Sequence, residues 1–350
     1  MNISQLIEDI NNVEDNPFSG AVLFKNNGNT FEQGYGYANR SERIQNTVYT
    51  RFGIASGCKI FTAVAISQLV QSGAITFDTL LKDCVNIPFP NFDPNITIHQ
   101  LLTHSSGIPD YFDEEIMDKF EELWKSTPMY SIQSPRDFFP MFQNNQMKYV
   151  PGEKFSYSNS GYILLGLIIE EVTGIDFTTY VESNIFQRCG MTYSGYFSMD
   201  RLPERTALGY IDSDSSWRTN VYSVPIKGGP DGGAFTTVHD LANFWDALFS
   251  NDLLSPEYTA LLLTPHIKNT DHIYYGYGVW IQILNDKVFK YYVMGSDPGV
   301  SMQSSVYANQ NSQAHIIGNT NKGTWKISGK IDELIFGSQE GAKINLKDFQ

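Results

Sequence analysis

Ser56 and Lys59 are the two residues in this sequence whose types and spacing best fit covalent chemistry. A serine hydroxyl is a poor nucleophile until a base removes its proton. At the start of a helix, residues i and i+3 lie on neighbouring sides of the first turn, so these two side chains can come within hydrogen-bond reach. The run 57–71, GCKIFTAVAISQLVQ, has the length of a helix and almost no polar face, and Lys59 is its one charged residue. A buried lysine loses hydration of its charged form, which makes a neutral amine available as a base. Backbone N–H groups at the same helix start can hold a developing oxyanion. The structural alternative is a Ser56 that merely caps the helix and a Lys59 that snorkels to solvent.

A second constellation lies in PGEKFSYSNSGYILLGLIIEEVTG, residues 151–174. Pro151-Gly152 makes a turn, a polar Tyr-Ser-Asn segment follows, and a strongly apolar helix begins. Tyr157 and Asn159 are two apart and can face one side of an extended segment. A tyrosine hydroxyl beside a lysine can pass a proton to a leaving group, and an asparagine can donate to an acyl carbonyl while accepting from the lysine. The alternative is a buried aromatic with a helix cap at Ser158 or Asn159.

These residues need a frame. Ile3, Leu6, Ile7 and Ile10 mark a short amphipathic helix over 3–13. Two strand-like runs in 18–38 meet at Asn27-Gly28, a strong hairpin signal. Residues 74–105, with Pro88, Pro90 and Pro94, read as loops and short helices, and helical segments are expected near 113–125, 135–146, 160–173 and 177–187. Glycine and proline gather in PIKGGPDGGA, 225–234, as another junction. TTVHDLANFWDAL then reads as a helix capped by Thr237 with Asp240 in the reciprocal position, and a short helix is expected near 256–263. YGYGVWIQIL, VFKYYVMG, VSMQSSVYAN and QAHIIGNT imply four antiparallel strands before a last helix at about 324–335. The simplest assembly is an α/β (α+β) sandwich in which both chain ends complete one antiparallel sheet flanked by helices. The expected division is 1–73 and 226–335 as the sheet domain, 74–225 as a mostly helical inserted domain, and 336–350 as a tail, with the active site in the cleft between domains.

Composition narrows the functions available. At 350 residues, 41% hydrophobic and 18% charged, the chain can bury a large core. A formal charge of -14 repels phosphate backbones and argues against a nucleic-acid partner. Cys58, Cys84 and Cys189 form no CxxC pair, so neither a disulfide scaffold nor a thiolate zinc site is supported, and Cys58 reads as a small core side chain. His99 and His104 lack ligand companions, so no metal is expected; His104 with Ser105-Ser106-Gly107 reads as a turn organiser, and His239 as structural. Gly228-Gly229 and Gly232-Gly233 lack the Gly-Lys-Ser/Thr ending of a phosphate loop, and no G-x-S-x-G elbow is present. Most of Tyr274, Tyr275, Tyr277 and Trp280 are expected in core packing. No apolar run reaches the length of a membrane span, and no signal-peptide core is seen, so a cytoplasmic location is expected, or an extracytoplasmic one if a leader has been removed.

FGIASGCK, 52–59, together with Tyr157-Ser158-Asn159, resembles the serine β-lactamase and penicillin-binding-protein superfamily, in the group holding class C β-lactamases, D-alanyl-D-alanine carboxypeptidases, D-aminopeptidases and related esterases. ITIHQLLTHSSGIPD at 96–110, GGAFTTVHDLANF at 232–244 and DPGVSMQSS at 297–305 extend the resemblance, in family order, from about residue 4 to residue 334. The resemblance implies a β-lactamase/transpeptidase-like fold and acyl transfer without a cofactor. Ser56 would form the acyl-enzyme, Lys59 would assist its deprotonation, Tyr157 would shuttle the proton, and Asn159 would orient the acyl group and Lys59.

The third family motif departs from the pattern. Members usually carry Lys-Thr-Gly or His-x-Gly, and the matching segment here is read as Ser296-Asp297-Pro298 or a shortened version of it, with Ser296 in place of the cation or imidazole. A hydroxyl cannot attract a carboxylate as a cation does. The backbone N–H groups of Ser56 and Gly299 are the expected oxyanion donors, since Pro298 has none. Asp297 either binds a substrate amine or closes an Asx turn before Pro-Gly. The reading is a serine hydrolase acting on an ester, amide or peptide, with a small molecule or short peptide as substrate. The alternatives are a penicillin-binding protein or β-lactamase acting on β-lactams or D-Ala-D-Ala peptides, and a catalytically weak binding descendant. Oligomeric state is not legible.

Overall fold

The computed structural model describes residues 3–13, 17–308 and 310–340. Five longer helices organise it: α1 (Ile3–Val13), α2 (Lys59–Gln71), α3 (Asn159–Thr173), α4 (Val238–Phe249) and α5 (Thr324–Glu340). The main sheet contains β1 (Gly20–Asn26), β2 (Asn29–Tyr35), β3 (Ile267–Lys268), β4 (Ile273–Tyr275), β5 (Trp280–Leu284), β6 (Lys287–Asp297), β7 (Val300–Tyr307) and β8 (Ser312–Gly318). Their order is β2-β1-β8-β7-β6-β5-β4-β3, antiparallel throughout. Strands from the start and end of the chain thus meet as β1 against β8, with Gly20 opposite Gly318.

Alternation along β1 explains the layers. Ala21 and Leu23 join the large core that also holds α2, α3 and α4, while Val22 and Phe24 join a second core with Ile3, Ile7, Ile327 and Ile331. Successive strand side chains point to opposite faces, so a strand buried at every early position needs cover on both sides. Helices α1 and α5 supply it on one face, and α4 with the helical middle of the chain on the other. Helix α2, apolar nearly all round, buries eleven of its thirteen residues, as such a sequence must.

Local expectations failed where a competing contact won. Residues 113–125 wind only at Phe120–Glu122 and Leu123–Ser126, because the acidic start is drawn to Lys148, whose Nζ lies 2.7 Å from Asp113 and 3.5 Å from Glu115. The expected helix 135–146 is a 3-10 segment ending at Met141, where Pro140 withholds the N–H that a continuing helix needs. Thr237 Oγ1 caps α4 by accepting from Asp240 N at 3.1 Å. Asp240 does not reciprocate: its carboxylate accepts instead from Tyr193 N and Ser194 Oγ, at 2.9 and 2.7 Å. A hairpin over Tyr210–Ser213 and Ser216–Thr219 was not anticipated. Helix α5 runs to Glu340, past the expected start of the tail, whose remaining residues 341–350 lie outside the described residues. Among the described residues no helix is long and apolar enough to cross a membrane.

Candidate active site

Ser56 sits in a short 3-10 turn, Ala55–Cys58, immediately before α2. The turn is tied down from several sides: Ile54 N donates to Ala234 O at 2.9 Å, Gly57 N to Ile54 O at 2.9 Å, and Gly233 N to Ala55 O at 3.1 Å. Ala55 itself has φ 45°, a left-handed conformation costly for a residue with a Cβ, and such strain persists only where surrounding contacts over-determine it. Strand β6 passes directly beneath. A Cβ on Gly295 would lie 2.8 Å from Gly57 N and 2.9 Å from Ser56 N, so only glycine lets the strand approach this closely. Cys58 is fully buried with Sγ 3.6 Å from Gly229 O, and burial pushes its thiol up to about 12.

Lys59 is buried, and its Nζ lies 2.9 Å from Ser56 Oγ. It also donates to Asn159 Oδ1 at 2.8 Å and to the Asp231 carbonyl at 2.6 Å. The sequence's structural alternative of a lysine snorkelling to solvent is therefore not what the chain adopts. Tyr157 is half-buried, with its ring centroid 4.9 Å from Lys59 Nζ and stacked on Trp280 at 6.2 Å. Burial, then the nearby Glu114 carboxylate, hold the Tyr157 hydroxyl well above the ordinary phenol range, while hydrogen bonding with Ser56 works the other way. Asn159 faces the cleft, and its Nδ2 is directed at Asp110 Oδ2 and Phe112 O, both at a long 3.4 Å.

Several residues that hold this arrangement carried no legible signal. Asp110 caps α3, accepting from Asn159 N and Ser160 N, each at 2.8 Å; its burial pushes the carboxyl up to about 6 although the helix N–H groups favour the anion. Asp231, in the segment read only as a glycine-rich junction, supplies the carbonyl to Lys59 and accepts from the Tyr111 hydroxyl. His104, expected to organise a turn, has φ 56° and accepts from Ser158 N at 3.1 Å, and its carbonyl accepts from Ser156 N at 2.9 Å. Its ring lies 4.3 Å from that of Tyr157, so one buried histidine grips the backbone on both sides of the tyrosine. Tyr275 and Trp280 pack behind Tyr157 in an aromatic cluster with Tyr292.

The third-motif residues fall differently from expectation. Gly299, with φ 74°, cannot serve as an oxyanion donor because its N–H already donates to Asn321 Oδ1 at 2.7 Å. Nor does Ser296 occupy the place of a cleft cation. Gly295 faces the Ser56 turn, so strand alternation sends the side chains of Met294 and Ser296, both exposed, to the other face. The position sharing Gly295's face one step earlier is the buried Val293. Asp297, one step later on that same face, lines the cleft. Its carboxyl is pushed up to about 7 by burial and then by Asp231.

Ser56, Asn159, Ser296 and Asp297 open onto a cleft of about 600 Å³ whose apolar walls include Phe112, Phe138 and Phe235. Similar proteins carry the same frame. A family model described as Beta-lactamase matches residues 7–329. The solved penicillin-binding protein from Bacillus halodurans is 50% identical with a TM-score of 0.90, covering 95% of this chain and 100% of that one. The octameric penicillin-binding protein homologue from Pyrococcus abyssi is 26% identical with a TM-score of 0.83, covering 96% of this chain and 77% of that one. Penicillin-binding protein 4* of Bacillus subtilis is 31% identical over 287 residues, 77% of this chain and 60% of that protein. The chain therefore spans less than two thirds of this curated relative's length, and 37% of the length of protein flp of Staphylococcus aureus. A family match running from residue 7 to residue 329 means that this chain belongs to the β-lactamase family.

Proposed function

We propose that the chain hydrolyses an ester, amide or peptide through an acyl-enzyme on Ser56. The observation that carries this reading is the 2.9 Å approach of Lys59 Nζ to Ser56 Oγ, with the amine's other two directions occupied by Asn159 and the Asp231 carbonyl. A neutral amine has two N–H donors and one lone pair, so donation to those two acceptors aims the lone pair at the serine hydroxyl. Lys59 then takes the Ser56 proton as Oγ attacks the substrate carbonyl. The Tyr157 phenol, kept protonated by its environment, gives its proton to the leaving group and recovers one from the lysine ammonium. Water hydrolyses the acyl-enzyme along the reverse proton path.

The oxyanion is assigned to the N–H groups of Ser56 and Ser296. Asp297 and Val300 close the two-residue turn, so Ser296, paired with Ser301, takes the next, non-hydrogen-bonded position with its N–H turned away from β7. Penicillin acylation is the second reading, favoured by the 50% identity to a solved penicillin-binding protein. The absence of a cation at Ser296 or Val293 counts against recognition of the β-lactam carboxylate.

Intact-mass spectrometry after exposure to a fluorophosphonate, with a penicillin in parallel, tests both. A single adduct that disappears in Ser56→Ala is expected. Equal labelling of that variant would remove Ser56 from the mechanism, and a persistent penicillin adduct would promote the second reading.

A further inference from the structure

The tip of the β6–β7 hairpin is satisfied without help from the Asp297 carboxylate. Asn321 Nδ2 donates to Asp297 O at 2.7 Å and to Val300 O at 3.2 Å, and Asn321 Oδ1 accepts from Gly299 N at 2.7 Å. Asn220 Nδ2 donates to Pro298 O at 2.9 Å. An Asx turn at Asp297 would draw on the N–H two residues on, which is that of Gly299 and is already taken, while Pro298 has none. The structural use of this aspartate is thereby removed. Its side chain projects from the face of β6 that packs on the Ser56 turn, and among the described residues no lysine or arginine pairs with it.

The surroundings define what would complement it. Five carboxylates and two lysines line the cleft. Of the lysines, Lys227 donates to Thr178 Oγ1 at 3.2 Å and Lys119 is exposed on the rim. Glu121 is paired with Arg218, Asp231 is hydrogen-bonded by Tyr111, and Glu114 and Asp118 are exposed, which leaves Asp297 as the part-buried cleft carboxylate without a donor among the described residues. A carboxylate lining a confined cleft without a partner favours a cation brought by the ligand, and apolar walls favour a hydrocarbon side chain beside it.

Building on the acyl-transfer reading, we propose that the substrate is an amide or ester of an apolar amino acid with a free amino group, and that Asp297 receives its ammonium. Asp297 acts in binding and specificity, and the covalent steps are those of Ser56, Lys59 and Tyr157.

The test reads protection of Ser56 from fluorophosphonate labelling by 2-phenylethylamine and by 3-phenylpropionate, which differ in charge but share the phenyl group. Hydrolysis of phenylalanine p-nitroanilide, as each enantiomer, is compared in parallel with its N-acetyl counterpart. The amine should protect and the carboxylate should not, and at least one free-amine anilide should exceed its acetylated form in kcat/KM by about tenfold or more, the range of a charge-assisted hydrogen bond. Asp297→Asn should abolish both preferences, and a thermal melt within error of the wild type reports its intact fold. Stronger protection by the carboxylate, or an Asp297→Asn variant that keeps the preference for the amine, would overturn the proposal and leave acyl transfer standing. Loss of Ser56 labelling in the wild-type protein would instead overturn acyl transfer itself.

Discussion

At the scale of single residues, the site is held by hydrogen bonds among buried polar groups. Asp110 uses separate carboxylate oxygens for Asn159 N and Ser160 N, and so fixes the first turn of α3 that presents Asn159 to Lys59. Its folded carboxyl titrates at about 6, raised from 3.8 by burial. The folded state therefore binds this proton more tightly than the unfolded chain, and the associated stability, fully present below 3.8, is lost as pH rises through about 6. Denaturant melts at several pH values should show this contribution as a difference between wild type and Asp110→Asn, whose side chain does not titrate. The variant should lack that part of the fall over the window, so the stability difference between the two proteins should shift in the variant's favour as pH rises through about 6. Parallel pH profiles for the two proteins would refute this role for Asp110.

At the scale of elements, the site depends on how closely β6 approaches the Ser56 turn. Gly295 permits that approach, and a methyl there meets backbone atoms that cannot rotate aside. Gly295→Ala should displace the turn or the strand, costing about 1–3 kcal/mol as for other overpacked sites and lowering fluorophosphonate labelling of Ser56 at least tenfold, by order of magnitude. Thermal melts with labelling kinetics check both quantities, and wild-type labelling in a folded variant would refute it. The elements themselves were largely readable in the sequence. The Asn27-Gly28 hairpin, the apolar α2, the capped α4 and the last four strands follow from local turn chemistry and hydrophobic period. Residues 113–119 were not readable, because their ion pairing to Lys148 depends on a residue far along the chain.

At the scale of the whole molecule, the two chain ends lock the sheet that carries β6. The buried Lys290 of β6 is paired with Asp332 of α5 at 2.6 Å, and Tyr307 donates its hydroxyl to the same carboxylate at 2.7 Å. Removing one partner of such a pair leaves a buried charge uncompensated, so Asp332→Ala should destabilise the fold by about 3–5 kcal/mol. Equilibrium denaturation monitors it, and a loss within error of zero would show that the pair does not hold the helix to the sheet.

By itself, the sequence determined the class of chemistry and the layered frame. Reactive types at short spacing, Ser56 with Lys59 and Tyr157 with Asn159, are local features, as are the turn signals and periods that make strands and helices. Only the tertiary structure decided the partners. It brought Asn159 to Lys59 across a hundred positions, drew the Asp231 carbonyl to the same amine, and took Gly299 N for Asn321. Hydrogen-bond acceptors are interchangeable in sequence: any carbonyl can serve a lysine, and any asparagine can clamp a turn. Which one does so is set when β6, α2, α3 and the glycine-rich loop pack into one core, and that packing left Asp297 in the cleft without a donor among the described residues.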